Sequence, residues 1–376
     1  MAVWPRTVES LVVIDDAFWR GKRIFLTGHT GFKGAWLALW LKRMGAQVTG
    51  YALAPSTDPS LYQLADVAGQ IERNHITDIR DLAALRAAMA EAQPDIVLHL
   101  AAQPLVRASY ADPVETFASN VMGTTHLLES VRHTPSVRVC LVITTDKVYE
   151  NREWHYPYRE QDPLGGHDPY STSKACTELV AASYRLSFLA AQNVSVATAR
   201  AGNVIGGGDW SADRLVPDCV RAMQAGKPLV VRNPKSVRPW QLVLEPLAGY
   251  LQLAQLQWQQ PTKYATAFNF GPHAQQVLNV GAVAGLLTQY WGDGASWELT
   301  PQQGAQVHEA GLLSLDISHT MAQTNWRPVY GPEEAIRRTV TWYKQALAAT
   351  DAAAICTLCD REIDDYLAHA AAAHSS

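Results

Sequence analysis

Arg23-Ile-Phe-Leu-Thr27 runs directly into Gly28-His-Thr-Gly31-Phe-Lys-Gly34, and Ala35-Trp-Leu-Ala-Leu-Trp-Leu-Lys-Arg-Met44 follows before Gly45. The first stretch is short, apolar and rich in β-branched and aromatic residues, which predicts a strand. The last predicts a helix that a glycine ends. Glycines spaced three and three between a strand and a helix make a turn through which the backbone can approach a pyrophosphate, held at the positive end of the helix dipole. Working outward, Val48–Leu53, Ile96–Ala101, Val139–Thr145 and Val194–Ala199 read as further short strands. Helical stretches at Leu82–Ala92, Val114–Val131 and Ser171–Ala191 separate them. This alternation predicts an α/β chain with a Rossmann-type, doubly wound parallel sheet covered on both faces.

The 376 residues are 48% apolar, enough for a substantial core, and at roughly 150 residues per domain they suggest two lobes. Lys+Arg 31 against Asp+Glu 35 leaves a net charge of −4, which argues against bulk electrostatic binding to nucleic acid or to an anionic membrane. No apolar run approaches the roughly 18 residues that span a bilayer. The opening Met-Ala-Val-Trp-Pro, followed by Asp15 and Asp16, lacks the basic-then-apolar order of a signal peptide. Five cysteines form no disulfide framework, and Cys356 and Cys359, a lone C-x-x-C, read as a coincidence on a helix surface. Reduced thiols without a leader predict a cytoplasmic protein.

After about residue 200 the alternation breaks into the turns Gly206-Gly-Gly-Asp-Trp210 and Asn233-Pro-Lys-Ser-Val-Arg-Pro-Trp240, and helical periodicity returns at Glu245–Leu256. We expect residues 1–200 to form the nucleotide-binding domain, with a returning segment near 241–270. Residues 201–240 and 271–347 would form a smaller mixed α/β substrate-binding lobe, and 348–376 a helical tail.

The glycine turn lacks one usual partner. A fold preferring NAD places an acid about 20 positions on, for the ribose hydroxyls. Here that region reads Thr49-Gly-Tyr-Ala-Leu-Ala54, and the first acid is Asp58. No arginine stands there to clamp a 2′-phosphate, so NAD is favoured over NADP, with Ser56 or Thr57 offering neutral hydrogen bonds. Asp78 and Ile79 of Asp78-Ile-Arg-Asp81 can face an adenine. The segment reads equally well as a helix start with an acid at its dipole.

Tyr170-Ser-Thr-Ser-Lys174 follows Asp168-Pro169. Four positions apart on a helix, phenol and ammonium project from one face. A free tyrosine titrates near about 10 and is a poor base at neutral pH. A cation ~4 Å away at an effective dielectric of ~20 supplies ~4 kcal/mol, enough to bring the phenol to about 7. The preceding strand ends in Thr144-Thr-Asp-Lys-Val-Tyr149, at the carboxyl edge where ligands of open α/β sheets collect. Thr145 is placed to bond the hydroxyl that Tyr170 deprotonates, and Asp146 and Lys147 form a titratable pair beside it.

Together these residues resemble the extended short-chain dehydrogenase/reductase superfamily, and most closely its nucleotide-sugar 4,6-dehydratases. The similarity runs from Phe18-Trp-Arg-Gly-Lys-Arg23 through Arg200-Ala-Gly-Asn-Val-Ile-Gly-Gly-Gly-Asp-Trp210 to Trp240-Gln-Leu-Val-Leu-Glu-Pro246. Most related dehydratases carry Asp-Glu where this chain has Asp146-Lys147. Asp-Lys is the pattern of the branch that acts on CDP-glucose. The resemblance implies NAD held by Gly28, His29, Thr30, Gly31, Phe32, Lys33, Gly34, Asp78, Ile79, Ala101, Ala102, Asn120, Thr144, Tyr170 and Lys174. Asn120 would support Lys174.

The implied reaction is an internal redox elimination in deoxysugar biosynthesis. Tyr170, with Thr145 and Lys174, takes the C4 hydroxyl proton while hydride leaves C4 for NAD. Lys147 takes the C5 proton as Asp146 protonates the departing C6 hydroxyl. Hydride then returns to C6, giving CDP-4-keto-6-deoxyglucose and a cofactor retained rather than exchanged. These roles require Asp146 to start protonated and Lys147 neutral, a coupled pair. Gln103, Asn203, Arg214, Arg232 and Arg238 would hold the nucleotide sugar, since arginine forks match phosphate oxygens. No metal is implied, and the 12 histidines show no H-E-x-x-H spacing. Rival readings are another 4,6-dehydratase, a 4-epimerase that needs no acid-base pair at 146 and 147, or a dinucleotide-binding sensor without catalysis. By fold analogy the chain forms a homo-oligomer, a dimer or tetramer built on helices such as 114–131 and 168–191.

Overall fold

A computed structural model describes residues 14–299 and 312–375. The Met1–Pro5 opening and residues 300–311 of the expected second lobe lie outside the described residues. Seven parallel strands form the central sheet: β1 (Arg23–Thr27), β2 (Gln47–Ala52), β3 (Arg73–Ile76), β4 (Ile96–His99), β5 (Val139–Ile143), β6 (Ser195–Ala201) and β7 (Ala267–Phe270). Their order is β7-β6-β5-β4-β1-β2-β3. The winding reverses between β1 and β4, and the strands' carboxyl ends diverge there to leave a crevice.

Alternation along each strand sends side chains to two cores. Phe25, Val97, Cys140, Val142 and Val196 pack under α2 (Leu82–Ala92), α3 (Gly123–Arg132) and α4 (Pro169–Tyr184). Ile24, Leu26, Leu98 and Leu141 face the opposite core. That core is built by α1 (Phe32–Arg43), α5 (Leu215–Gln224), α6 (Leu244–Gln259), α7 (Val280–Trp291), α8 (Pro332–Ala348) and α9 (Ala352–Ser375). Trp36, Trp40, Tyr250, Trp342 and Tyr366 are its large buried members. No helix among the described residues is long and apolar enough to cross a membrane.

Several elements depart from their sequence reading. The expected helix Val114–Val131 starts at Pro113 but is broken by a π-helical turn at Ala118–Met122, ahead of α3. The extra residue in that turn carries Ser119 and Asn120 into the interior. The expected helix Ser171–Ala191 begins at Pro169, capped by Asp168, whose carboxylate accepts from the Ser171 amide at 2.9 Å, and gives way to a second π-turn at Arg185–Leu189. β5 stops at Ile143, two residues early, leaving Thr144 and Thr145 beyond its carboxyl end.

α5 and α7 had no clear sequence signal. Neither had three short strand pairs: Val204–Ile205 with Gln241–Leu242, Val237–Arg238 with Leu278–Asn279, and Leu229–Val231 with Trp297–Leu299. The C-x-x-C is not a surface feature: Cys359 is fully buried against Trp342, and the Cys356 thiol donates to the Ala65 carbonyl at 3.3 Å.

Candidate active site

The glycine turn joins β1 to α1 at the reversal of the sheet. Gly28 sits at φ +77°, and a Cβ there would meet the Ala101 amide nitrogen at 2.7 Å. A Cβ on Gly34 would lie 2.0 Å from the Gly28 carbonyl oxygen, so the first helical turn can close on the loop only with glycine. At Gly31, which caps α1, a Cβ would approach nothing nearer than 3.5 Å. A close-wound turn opening at a helix N-terminus fits the pyrophosphate of a dinucleotide. Ala101 and Ala102 follow β4 beside Gly28. The side chains of His29 and Thr30 turn into the protein. The His29 Nε2 lies 2.6 Å from Asn74 Oδ1 with its ring packed over Gly50, and Thr30 donates to the Leu53 carbonyl at 2.8 Å. These two residues therefore have only backbone to offer a cofactor.

The Asp78–Asp81 segment divides its two expected roles. Asp81 caps α2, accepting from the Ala84 amide at 2.9 Å. Asp78 is gripped by Arg80, whose guanidinium holds its carboxyl below the usual range, and Ile79 packs against Gly123. Two assignments need correcting. Gln103 does not line the cavity: its amide donates to Thr116 Oγ1 at 2.8 Å and accepts from the Leu105 nitrogen at 2.6 Å, so its side chain is spent inside the protein. Asn120 does not touch the Lys174 side chain. It bonds the Gln103 backbone and donates to Ser173 Oγ at 2.8 Å, while Lys174 Nζ donates to the Ile143 carbonyl at 2.9 Å.

A cavity of about 350 Å³ opens at the carboxyl ends of β5 and β6. Phe32 and Lys33 line it from α1. Thr144, Thr145, Asp146, Lys147 and Tyr170 line it from the sheet edge and α4, and Asn203, Arg214, Arg232 and Arg238 line it from the segments that follow β6. Lys174 lies buried beneath this wall.

The electrostatics correct one expectation. Burial pushes the Tyr170 phenol up to about 12, with the Thr145 hydroxyl acting in the opposite direction. Lys174 Nζ donates to the Ile143 carbonyl, and the influences on the phenol are burial, Thr145, Asp146, Arg214 and Asp168. Burial lowers Lys174 itself to about 8, against the pull of Glu178 one turn on. Asp146 is shifted in the direction that its expected role requires. It is 2% exposed and burial raises its carboxyl above the usual range. Its Oδ1 accepts from Thr145 Oγ1 at 2.9 Å, while its buried Oδ2 has no hydrogen-bond partner.

Three features of the site were not read from the sequence. Lys33, assigned to the cofactor turn, also faces the cavity, and burial with the nearby charges of Lys174 and Arg214 brings it down to about 7. Arg107 lines the mouth and pairs with Asp213 at 3.6 Å. Asp213 also takes Arg232 at 3.1 Å, and Asp209 takes Arg214 at 3.1 Å. The signal for Arg107 was only its position just after the β4 exit. Seven cations in and behind this wall against four acids, Asp146, Asp209, Asp213 and Asp218, leave the cavity positive, suited to a diphosphate.

A family profile described as GDP-mannose 4,6 dehydratase matches residues 25–339. The chain is 48% identical over 94% of its length to a CDP-glucose 4,6-dehydratase of Salmonella typhimurium, 99% of which is covered. It is 28% identical over 85% of its length to a dTDP-glucose 4,6-dehydratase of Xanthomonas campestris, 92% of which is covered. Among solved structures, a dTDP-glucose 4,6-dehydratase from Streptomyces venezuelae with NAD bound superposes with a TM-score of 0.71 at 23% identity, covering 86% of this chain and 97% of that one. A UDP-glucose 4-epimerase from Thermotoga maritima gives 0.73 at 20%, covering 86% and 99%. The structural likenesses establish the sheet and its winding, and the near-full-length sequence matches carry the finer assignment: this chain belongs to the GDP-mannose 4,6 dehydratase family within the extended short-chain dehydrogenase/reductases.

Proposed function

We propose that this chain is a hydro-lyase that converts CDP-glucose to CDP-4-keto-6-deoxyglucose and water, using NAD. Its 48% identity to a CDP-glucose 4,6-dehydratase supports the substrate. The observation that carries dehydration over 4-epimerisation is the Asp146 carboxyl, buried, raised and unpartnered at Oδ2, next to Lys147 on the cavity wall. An epimerase needs no acid there.

When bound along the glycine turn, NAD supplies the hydride acceptor for C4, the hydride donor for C6 and, in oxidised form, a positive charge near the phenol. Tyr170 accepts the C4 hydroxyl proton, with Thr145 bonding that hydroxyl. Because the protein alone holds this phenol near about 12, deprotonation needs more positive charge than Lys174 provides from its place under Ile143. Lys147 removes the C5 proton. Asp146, whose carboxyl burial raises, delivers a proton to the C6 oxygen, so water leaves with Lys147 protonated and Asp146 ionised. Arg214, Arg232 and Arg238 hold the diphosphate, and Asn203 the sugar.

The division into a nucleotide-binding domain (1–200 with 241–270), a substrate lobe and a helical tail is part of the same reading. So is a homo-oligomer: Val114 (77% exposed), Leu179 (59%) and Leu186 (78%) put apolar surface on the helices expected to meet a second copy. The five free cysteines suit a cytoplasmic site of action.

The test is incubation of the pure protein with CDP-, dTDP-, GDP- and UDP-glucose plus NAD, following keto-sugar absorbance in alkali. CDP-glucose is expected to react fastest. A C4 epimer as product would overturn the reaction, and a faster dTDP-glucose would overturn the base assignment.

A further inference from the structure

Behind the catalytic wall lies the most buried ion pair among the described residues. Glu178 on α4 and Arg200 on β6 each expose 4% of their side chains and meet at 2.9 Å. The pair is bidentate: Arg200 Nε donates to Glu178 Oε1 at 3.0 Å and Nη2 to Oε2 at 2.9 Å. Glu178 accepts two further bonds, from Thr144 Oγ1 and, at 2.7 Å, from Thr198 Oγ1. Arg200 Nη1 continues to the Tyr149 hydroxyl at 2.8 Å, and that hydroxyl donates to Asn269 Oδ1 on β7 at 2.7 Å.

Thr144 and Tyr149 are the two ends of the segment that holds Thr145, Asp146 and Lys147 around a 3-10 turn at Asp146–Val148, and backbone contacts of Thr144 with Ala199 and of Tyr149 with Leu164 help to hold those ends. Glu178 therefore ties down one end of that turn and Arg200 the other. Both anchors sit on elements fixed by the core. Tyr170 and Lys174 have their own supports, α4 itself and the Ile143 carbonyl. The network thus bears on the middle of the turn, where Asp146 and Lys147 stand.

We propose that Glu178 and Arg200 are positioning residues for the elimination step, clamping the 144–149 turn so that Asp146 and Lys147 address C6 and C5. The proposal rests on the dehydratase reading above. Stability alone does not account for the pair. Replacing both members of a buried ion pair by apolar residues of similar volume is often neutral or stabilising, whereas removing one partner strands a buried charge. A misplacement on the order of 1 Å at a reacting group is enough to slow a step about 100-fold.

The test uses the full chain with NAD and CDP-glucose, comparing wild type with the double variant Glu178→Leu/Arg200→Met and with Tyr149→Phe. Tyr149→Phe removes one tether and leaves the ion pair intact. Thermal midpoint and circular dichroism report folding. In rapid mixing, absorbance of reduced nicotinamide reports C4 oxidation, and solvent deuterium entering C5 reports proton removal. The clamp predicts that C5 exchange and water loss fall relative to C4 oxidation by about 100-fold in the double variant and about tenfold in Tyr149→Phe, so reduced nicotinamide accumulates. If both variants fold and keep the wild-type ratio of oxidation to elimination, the clamp is refuted. If the double variant does not fold, the ratio in Tyr149→Phe decides alone. Failure of wild type to dehydrate CDP-glucose would instead overturn the parent reading.

Discussion

Glu245 is fully buried near the start of α6, outside the catalytic cavity. Its carboxylate accepts from the Val329 and Tyr330 amides at 3.0 and 2.7 Å and from the Tyr366 hydroxyl at 3.0 Å, joining α6 to the loop before α8 and to α9. Burial outweighs these donors and raises the carboxyl from 4.5 to about 7. The unfolded chain releases this proton near 4.5, and the folded chain only near 7. Between those values the folded state binds more protons. Stability from this group is therefore full below pH 4.5 and is lost as pH rises through about 7. At about 1.36 kcal/mol per pH unit, the loss is about 3 kcal/mol. Glu245→Gln keeps an acceptor and cannot ionise. Near pH 5 it should match wild type, and near pH 8 it should be more stable by up to about 3 kcal/mol. With an unfolding entropy of about 2.1 cal/mol/K per residue over 376 residues, that is a rise of about 4 °C in thermal midpoint. The assay is calorimetry or circular dichroism melting of both proteins across pH 5 to 8. A wild-type-minus-variant difference that stays flat over that range would refute the reasoning, since the group would then titrate alike in both states.

Three further outcomes follow from the site. Because burial lowers Lys174 to about 8, turnover that depends on its ammonium should fall as pH rises through about 8, and a rate level up to about pH 10 would contradict this. Asp146→Asn should retain C4 oxidation but lose water elimination by about 10²- to 10⁴-fold, read as reduced nicotinamide without keto-deoxy product. Gly34→Ala places a methyl 2.0 Å from the Gly28 carbonyl oxygen, so the turn must open; NAD titration by protein fluorescence should show affinity lost, and unchanged affinity would show that the cradle is not the cofactor site.

What could be read locally was read well. β1 and α2 have the bounds that their apolar patterns imply, Arg23–Thr27 and Leu82–Ala92, because periodicity reports which face an element buries. The glycine turn and the Tyr170–Lys174 spacing are likewise short-range features, and both stand at the crevice. Elements after residue 200 were harder, since strands of two or three residues such as Val204–Ile205 carry too few positions to show a period.

The chemistry of the side chains was another matter, because charge state depends on solvent and neighbours that arrive from far along the chain. A Tyr-x-x-x-Lys repeat says that phenol and ammonium share a helix face. It does not say that the ammonium goes to the Ile143 carbonyl, 31 residues away, or that burial pushes the phenol up to about 12. Nor does Thr-Asp-Lys-Val-Tyr reveal that one Asp146 oxygen is sealed without a partner, or that Glu178 and Arg200 hold the turn from behind. Residue type and spacing nominate the groups. Burial and long-range pairing, which exist only once the sheet has assembled, set what those groups can do with a proton.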